Sequence, residues 1–128
     1  MQLQDETARA DQDLYRKWGK TVLAKGWTST PNLLLKHAGP MGLDPTETLA
    51  LIQLMRFWWK PENLPFPSIT KTSQEMGVTR KTLSKKFSSL KKKGFIEEVK
   101  GPDGVIKYSL VGLVQKLKEV RQQDFLGE

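Results

Sequence analysis

Apolar positions change their spacing several times along the chain, and each change predicts an element. Leu14, Tyr15, Trp18 and Val22 recur at helical spacing, so a helix is expected over about residues 5–24, ended by Lys25-Gly26. Its apolar stripe is expected to dock on the chain's own domain; the alternative is a second copy. Pro31, Gly39, Pro40 and Gly42 then read as a connector around a short apolar turn at Leu33, Leu34 and Leu35. Asp44 as N-cap, Pro45 at the first helical position and Glu47 three residues after the cap predict a capped helix. It is apolar on most faces up to Trp59. Leu51, Ile52, Met55, Trp58 and Trp59 make it the expected central buried helix, and core packing is favoured over base stacking for the two tryptophans. Pro61, Pro65 and Pro67 force an extended loop after it.

From Ser68 two helices follow in quick succession. Ser68 caps one that runs to Met76, Gly77 turns the chain, Val78 is expected to be buried, and Thr79 caps a second helix ending near Gly94. Gly101-Pro102-Asp103-Gly104 is a turn signal between two β-prone runs, predicting a hairpin of 95–100 with 105–109. Leu110, Leu113, Leu117 and Val120 mark a last helix, which fades into a polar tail over 122–128. Residues 1–26 thus read as a helical extension, 27–110 as the domain, and 111–128 as a C-terminal helix and tail.

Charge sharpens this outline. The chain of 128 residues carries Lys+Arg 21 against Asp+Glu 14, a net charge of +7. The segment 79–94 (TRKTLSKKFSSLKKKG) holds seven basic side chains and no acid, so the rest of the chain balances at 14 against 14. The whole positive imbalance sits on one predicted helix whose other face is apolar through Leu83, Phe87 and Leu90. Such a helix suits a surface of dense negative charge, nucleic acid first. The chain has no cysteine, which excludes disulfides and thiolate metal sites. No apolar run approaches the roughly 18–20 residues that span a bilayer, and the polar, acid-bearing start is not a signal peptide. A soluble, cytoplasmic, bacterial or phage-type protein is expected.

Helix, turn, basic helix and hairpin in that order resemble a winged helix-turn-helix domain, mainly α with a small β-hairpin wing (α+β). PSITKTSQEMGVTRKTLSKKFSSLKKKGFIEE is similar to the family's pattern. Gly77-Val78-Thr79-Arg80 fits the turn between its helices, and Leu90 with Gly94-Phe95-Ile96 fits the entry to the wing. PNLLLKHAGPMGLDPTETLALIQLMRF resembles the first helix and lead-in of one subgroup: small bacterial and phage regulators and the N-terminal domains of plasmid or phage replication initiators. One departure is that Thr72 and Ser73 stand where the family usually has Leu-Ala.

On the basic helix, about 100° per residue puts Lys81, Lys85, Ser88 and Lys92 opposite the apolar face, with Arg80, Ser84 and Ser89 flanking. The resemblance implies that this helix lies in a DNA major groove. Arg80, Lys81, Thr82 and Lys85 are then candidates for base edges, and Thr79, Ser84 and Ser88 for phosphates. Lys92 lies on the same face farther along, toward the DNA backbone. Ser68, Thr70 and Lys71, around the start of the preceding helix, are candidates for the DNA backbone, and Lys100 and Lys107 for a wing contact. Lysines outnumber arginines six to one on the helix, which favours affinity over guanine-specific readout.

No cofactor, metal site or catalytic set is legible. His37 is the only histidine, Glu97-Glu98 reads as the polar side of a strand, and no Gly-rich phosphate loop is present, so the chain is expected not to be an enzyme and no small-molecule effector is identifiable. Three functions remain: a double-stranded DNA-binding transcription regulator first, a DNA-binding module or accessory factor in plasmid or phage replication initiation second, and a protein-interaction winged helix third. Pairing into a homodimer through the terminal helices is expected, with no membrane association.

Overall fold

In the computed structural model, which describes residues 2–127 and the side chains of residues 9–123, Gly19 divides the expected N-terminal helix in two. Helix α1 (Gln2–Trp18) and the short α2 (Lys20–Leu23) meet there, where the backbone takes a φ of 83° that glycine reaches without steric cost. Leu23 is buried, but Tyr15, Trp18 and Val22 are exposed. Tyr15 meets Trp27 edge-on, ring centroids 5.9 Å apart. The stripe therefore does not dock on its own domain as expected; even Leu23, which is buried, lies outside the main core cluster.

The Leu33–Leu35 stretch is a helix rather than a turn: α3 (Asn32–His37) buries Leu34 completely. Helix α4 (Pro45–Met55) begins with the predicted capping box, Asp44 accepting from the Glu47 backbone N–H at 2.6 Å and Glu47 accepting from the Asp44 N–H at 2.9 Å. It stops four residues earlier than expected. The Trp59 indole N–H donates to the Arg56 carbonyl at 2.7 Å and that of Trp58 to the Pro61 carbonyl at 3.3 Å. These bonds serve carbonyls after the helix's end that have no partner in the next turn. Trp58 is half-buried and Trp59 is exposed, so Trp59 is no core residue.

Helix α5 (Ile69–Met76) starts at its Ser68 cap, and Gly77, at φ 72°, turns the chain into α6 (Arg80–Lys92), capped by Thr79. Val78 is half-buried; Thr72 and Ser73 are fully buried, and the Ser73 hydroxyl donates to the Thr70 carbonyl. Strands β1 (Glu97–Lys100) and β2 (Ile106–Ser109) pair antiparallel, Glu97 opposite Ser109 and Lys100 opposite Ile106. The strands are shorter than predicted because Phe95 and Ile96 are in the core. The Tyr108 N–H donates to the Pro65 carbonyl at 2.9 Å, pinning the proline loop beside β2.

Helix α7 (Val111–Gly127) closes the core with Leu113 and Leu117. It starts so close to the chain entering the hairpin that a β-carbon on Gly112 would overlap the Gly94 carbonyl oxygen. The core gathers Leu34, Leu51, Leu54, Leu83, Phe87, Leu90, Phe95 and Leu110. Helix α6 supplies three of these, each worth about 1.5–3 kcal/mol when fully buried, so its inner face is anchored and its outer face held rigidly outward.

Candidate nucleic-acid interface

Burying Leu83, Phe87 and Leu90 turns the opposite side of α6 to solvent. Lys81, Ser84, Lys85, Ser88 and Lys92 line one shallow, open depression of 870 Å³ there, joined by Ser89 and Lys91. The structure thus brings together five of the residues expected to touch DNA. Arg80 is exposed at the first helical position. Lys100 is exposed at the end of β1 and Thr70 near the start of α5.

The seven cations of the 79–94 segment do not all face outward. Lys86 Nζ donates to Asp44 Oδ2 at 2.7 Å. Lys93 Nζ donates to both oxygens of Glu47, at 2.8 and 2.9 Å, and to the Gly42 carbonyl at 2.6 Å. Lys91 Nζ donates to Glu98 Oε1 at 2.7 Å. Arg80, Lys81, Lys85 and Lys92 have no acidic partner among the described residues. Sequence reasoning weighed the lysines by helical angle alone. It could not pair them with Asp44 and Glu47, legible only as a cap some forty residues away in sequence.

That pairing ties α6 to the start of α4. Glu47 is almost completely buried, yet its carboxylate is served by the Asp44 N–H, by Lys93 and by the Ser89 hydroxyl at 2.6 Å. Burial pushes its pKa up, but these donors outweigh it and hold the carboxyl below the ordinary glutamate range. Asp44 is lowered too, chiefly by its hydrogen bond from Lys86. Both carboxylates are therefore charged at neutral pH and fix α6 by its flank, leaving the outer face free.

Some expected contacts carry local duties instead. Thr79 Oγ1 accepts from the Thr82 N–H at 3.0 Å and lies 3.0 Å from the Thr82 hydroxyl. The two hydroxyls hold each other at the helix start, and Thr82 is half-buried, which weakens its candidacy for base readout. Ser68 Oγ accepts from the Lys71 N–H at 3.2 Å.

Ser68 and Lys71 line a separate, apolar groove of 460 Å³ with Arg56, Phe57, Trp59 and Phe66. Lys107 stands 5.3 Å over the Phe66 ring. This aromatic groove was missed. Its signal was present in the triple-proline loop, which holds Phe66 between two prolines and out of any regular element. No group of three or more His, Cys, Asp or Glu that could hold a metal is found among the described residues. No described helix is long and apolar enough to cross a membrane.

Three comparisons bear on this geometry. The sequence profile of the DnaD N-terminal domain matches residues 30–125. The "replicative helicase loading/DNA remodeling protein DnaD" of Bacillus subtilis (strain 168) is 31% identical over 102 residues, 77% of this chain and 43% of that protein. The chain thus spans less than half the length of that curated relative. The crystal structure of the N-terminal domain of DnaD from Geobacillus kaustophilus HTA426 superposes with a TM-score of 0.63 at 27% identity, covering 80% of this chain and 86% of that one.

Proposed function

The chain belongs to the DnaD N-terminal domain family, and from that premise we propose that it is a non-enzymatic, duplex-DNA-binding module of replication initiation. In this reading α5, the Gly77 turn and α6 form a helix-turn-helix, and β1–β2 is its wing. The observation that carries it is the outer face of α6, where Arg80, Lys81, Lys85 and Lys92 stand without acidic partners among the described residues, beside Ser84 and Ser88. Unpaired cations on one rigid face attract the phosphate backbone and gain by releasing its counterions. The relative's name speaks of helicase loading and DNA remodeling, which favours the replication role over the regulator role expected first from the sequence. The regulator reading gives way accordingly.

The division into extension, DNA-binding unit and C-terminal helix belongs to the same proposal, as does a cytoplasmic setting. Pairing of two chains is supported by the exposed Tyr15, Trp18 and Val22 on α1 and α2, apolar groups that a second copy would cover. The test is fluorescence anisotropy with a labelled duplex, comparing the chain with its Lys81→Glu/Lys85→Glu variant. The variant should lose about ten-fold or more in affinity at low salt while its circular dichroism is unchanged. Equal affinities would contradict the proposal.

A further inference from the structure

The aromatic groove lies outside the α6 face, and its rings have no part in the duplex reading. Trp59 is 84% exposed and Phe66 60% exposed, and both line the one groove. Neither is loose. The Trp59 indole is held by its hydrogen bond to the Arg56 carbonyl. Phe66 sits between Pro65 and Pro67, and Pro65 is buried and bonded through its carbonyl to Tyr108. A ring held in advance, as that of Trp59 is, loses little conformational entropy when a flat ligand stacks on it.

Cations accompany the rings. The Arg56 guanidinium lies 5.1 Å from the centre of the Phe57 ring and Lys107 Nζ 5.3 Å from that of Phe66, while Lys71 lines the groove itself. The acid there, Glu75, is already bonded to Arg56 at 3.0 Å. Trp59, Phe57 and Arg56 also line an adjoining depression of 270 Å³, with Lys25 and Trp27 on its far side. The platform therefore continues past Trp59.

We infer that this groove binds a single nucleic-acid strand, its unpaired bases stacking on Trp59 and Phe66 and its phosphates meeting Lys71 and Lys107. Alternating rings and cations are what a single strand requires, because every base has a stacking face and every linkage a negative charge. An extended peptide is less well served, since the Tyr108 N–H beside the groove is already taken by Pro65. The inference rests on the groove alone and does not depend on α6 reading a duplex.

The experiment measures binding of labelled oligodeoxythymidylate, which cannot pair with itself, and of a duplex of equal length. Trp59→Ala/Phe66→Ala should weaken oligodeoxythymidylate binding by about ten-fold or more and leave the duplex affinity unchanged. Trp59→Phe, which keeps a ring, should retain most of the affinity. Both replaced side chains are exposed, and a thermal melt confirms that the variants stay folded. Lys81→Glu/Lys85→Glu should do the reverse, so failure of the duplex reading shows up separately. The inference is overturned if the unaltered chain does not bind oligodeoxythymidylate. It is equally overturned if the double alanine variant binds it as tightly, which would leave the groove to an acidic, apolar protein segment.

Discussion

Lys85 and Lys86 are sequence neighbours with the same side chain and different surroundings. Lys85 is exposed on the outer face of α6, whereas Lys86 is half-buried and bonded to Asp44. A cation already neutralised by a carboxylate releases no counterions when DNA arrives. Lys85→Ala should therefore reduce the slope of log affinity against log salt by about 1, and Lys86→Ala should leave that slope unchanged. Salt titrations of the two variants against one duplex check this, and equal slopes would sink the assignment. Helical geometry let the outer face be read from sequence, because 100° steps place Lys81, Lys85, Ser88 and Lys92 together. It could not show which cations were already paired, since Asp44 and Glu47 reach α6 only through the fold.

At the scale of elements, the capping box of α4 does two jobs. It satisfies the first turn of its own helix, and its two carboxylates hold Lys86, Ser89 and Lys93 of the 79–94 segment. Replacing Glu47 by Gln keeps the shape but removes the charge, and should lower stability near pH 7 by about 1–3 kcal/mol. The pH dependence follows from the lowered pKa. A carboxyl whose folded value lies below its unfolded value of about 4.3 stabilises fully above that value and loses the contribution as pH falls through the folded value. The stability gap between the chain and Glu47→Gln, measured by urea unfolding, should therefore narrow below about pH 4. A gap constant across pH would contradict the role given to the charge. The box itself was legible in Asp44-Pro45-x-Glu47, a purely local signal. The end of α4 was not, because Trp59 looks like a core residue until its indole N–H is seen to bond the Arg56 carbonyl just past the helix.

For the whole molecule, the order of elements from Ser68 to Ser109 was readable because caps, the Gly77 turn and the 101–104 turn are each encoded within a few residues. Where α1 packs was not readable, since an amphipathic stripe announces that it will be covered without saying by what. The proposed replication setting lay beyond charge and periodicity, and what supports it is the family match and the name of the Bacillus subtilis relative. If the outer face of α6 meets duplex DNA, amide chemical-shift mapping during a duplex titration reads that contact residue by residue. Shifts should concentrate on Arg80, Lys81, Ser84, Lys85 and Ser88, with a second set in the β1–β2 hairpin. Shifts confined to α1 through α4, with α6 silent at saturating duplex, would contradict it.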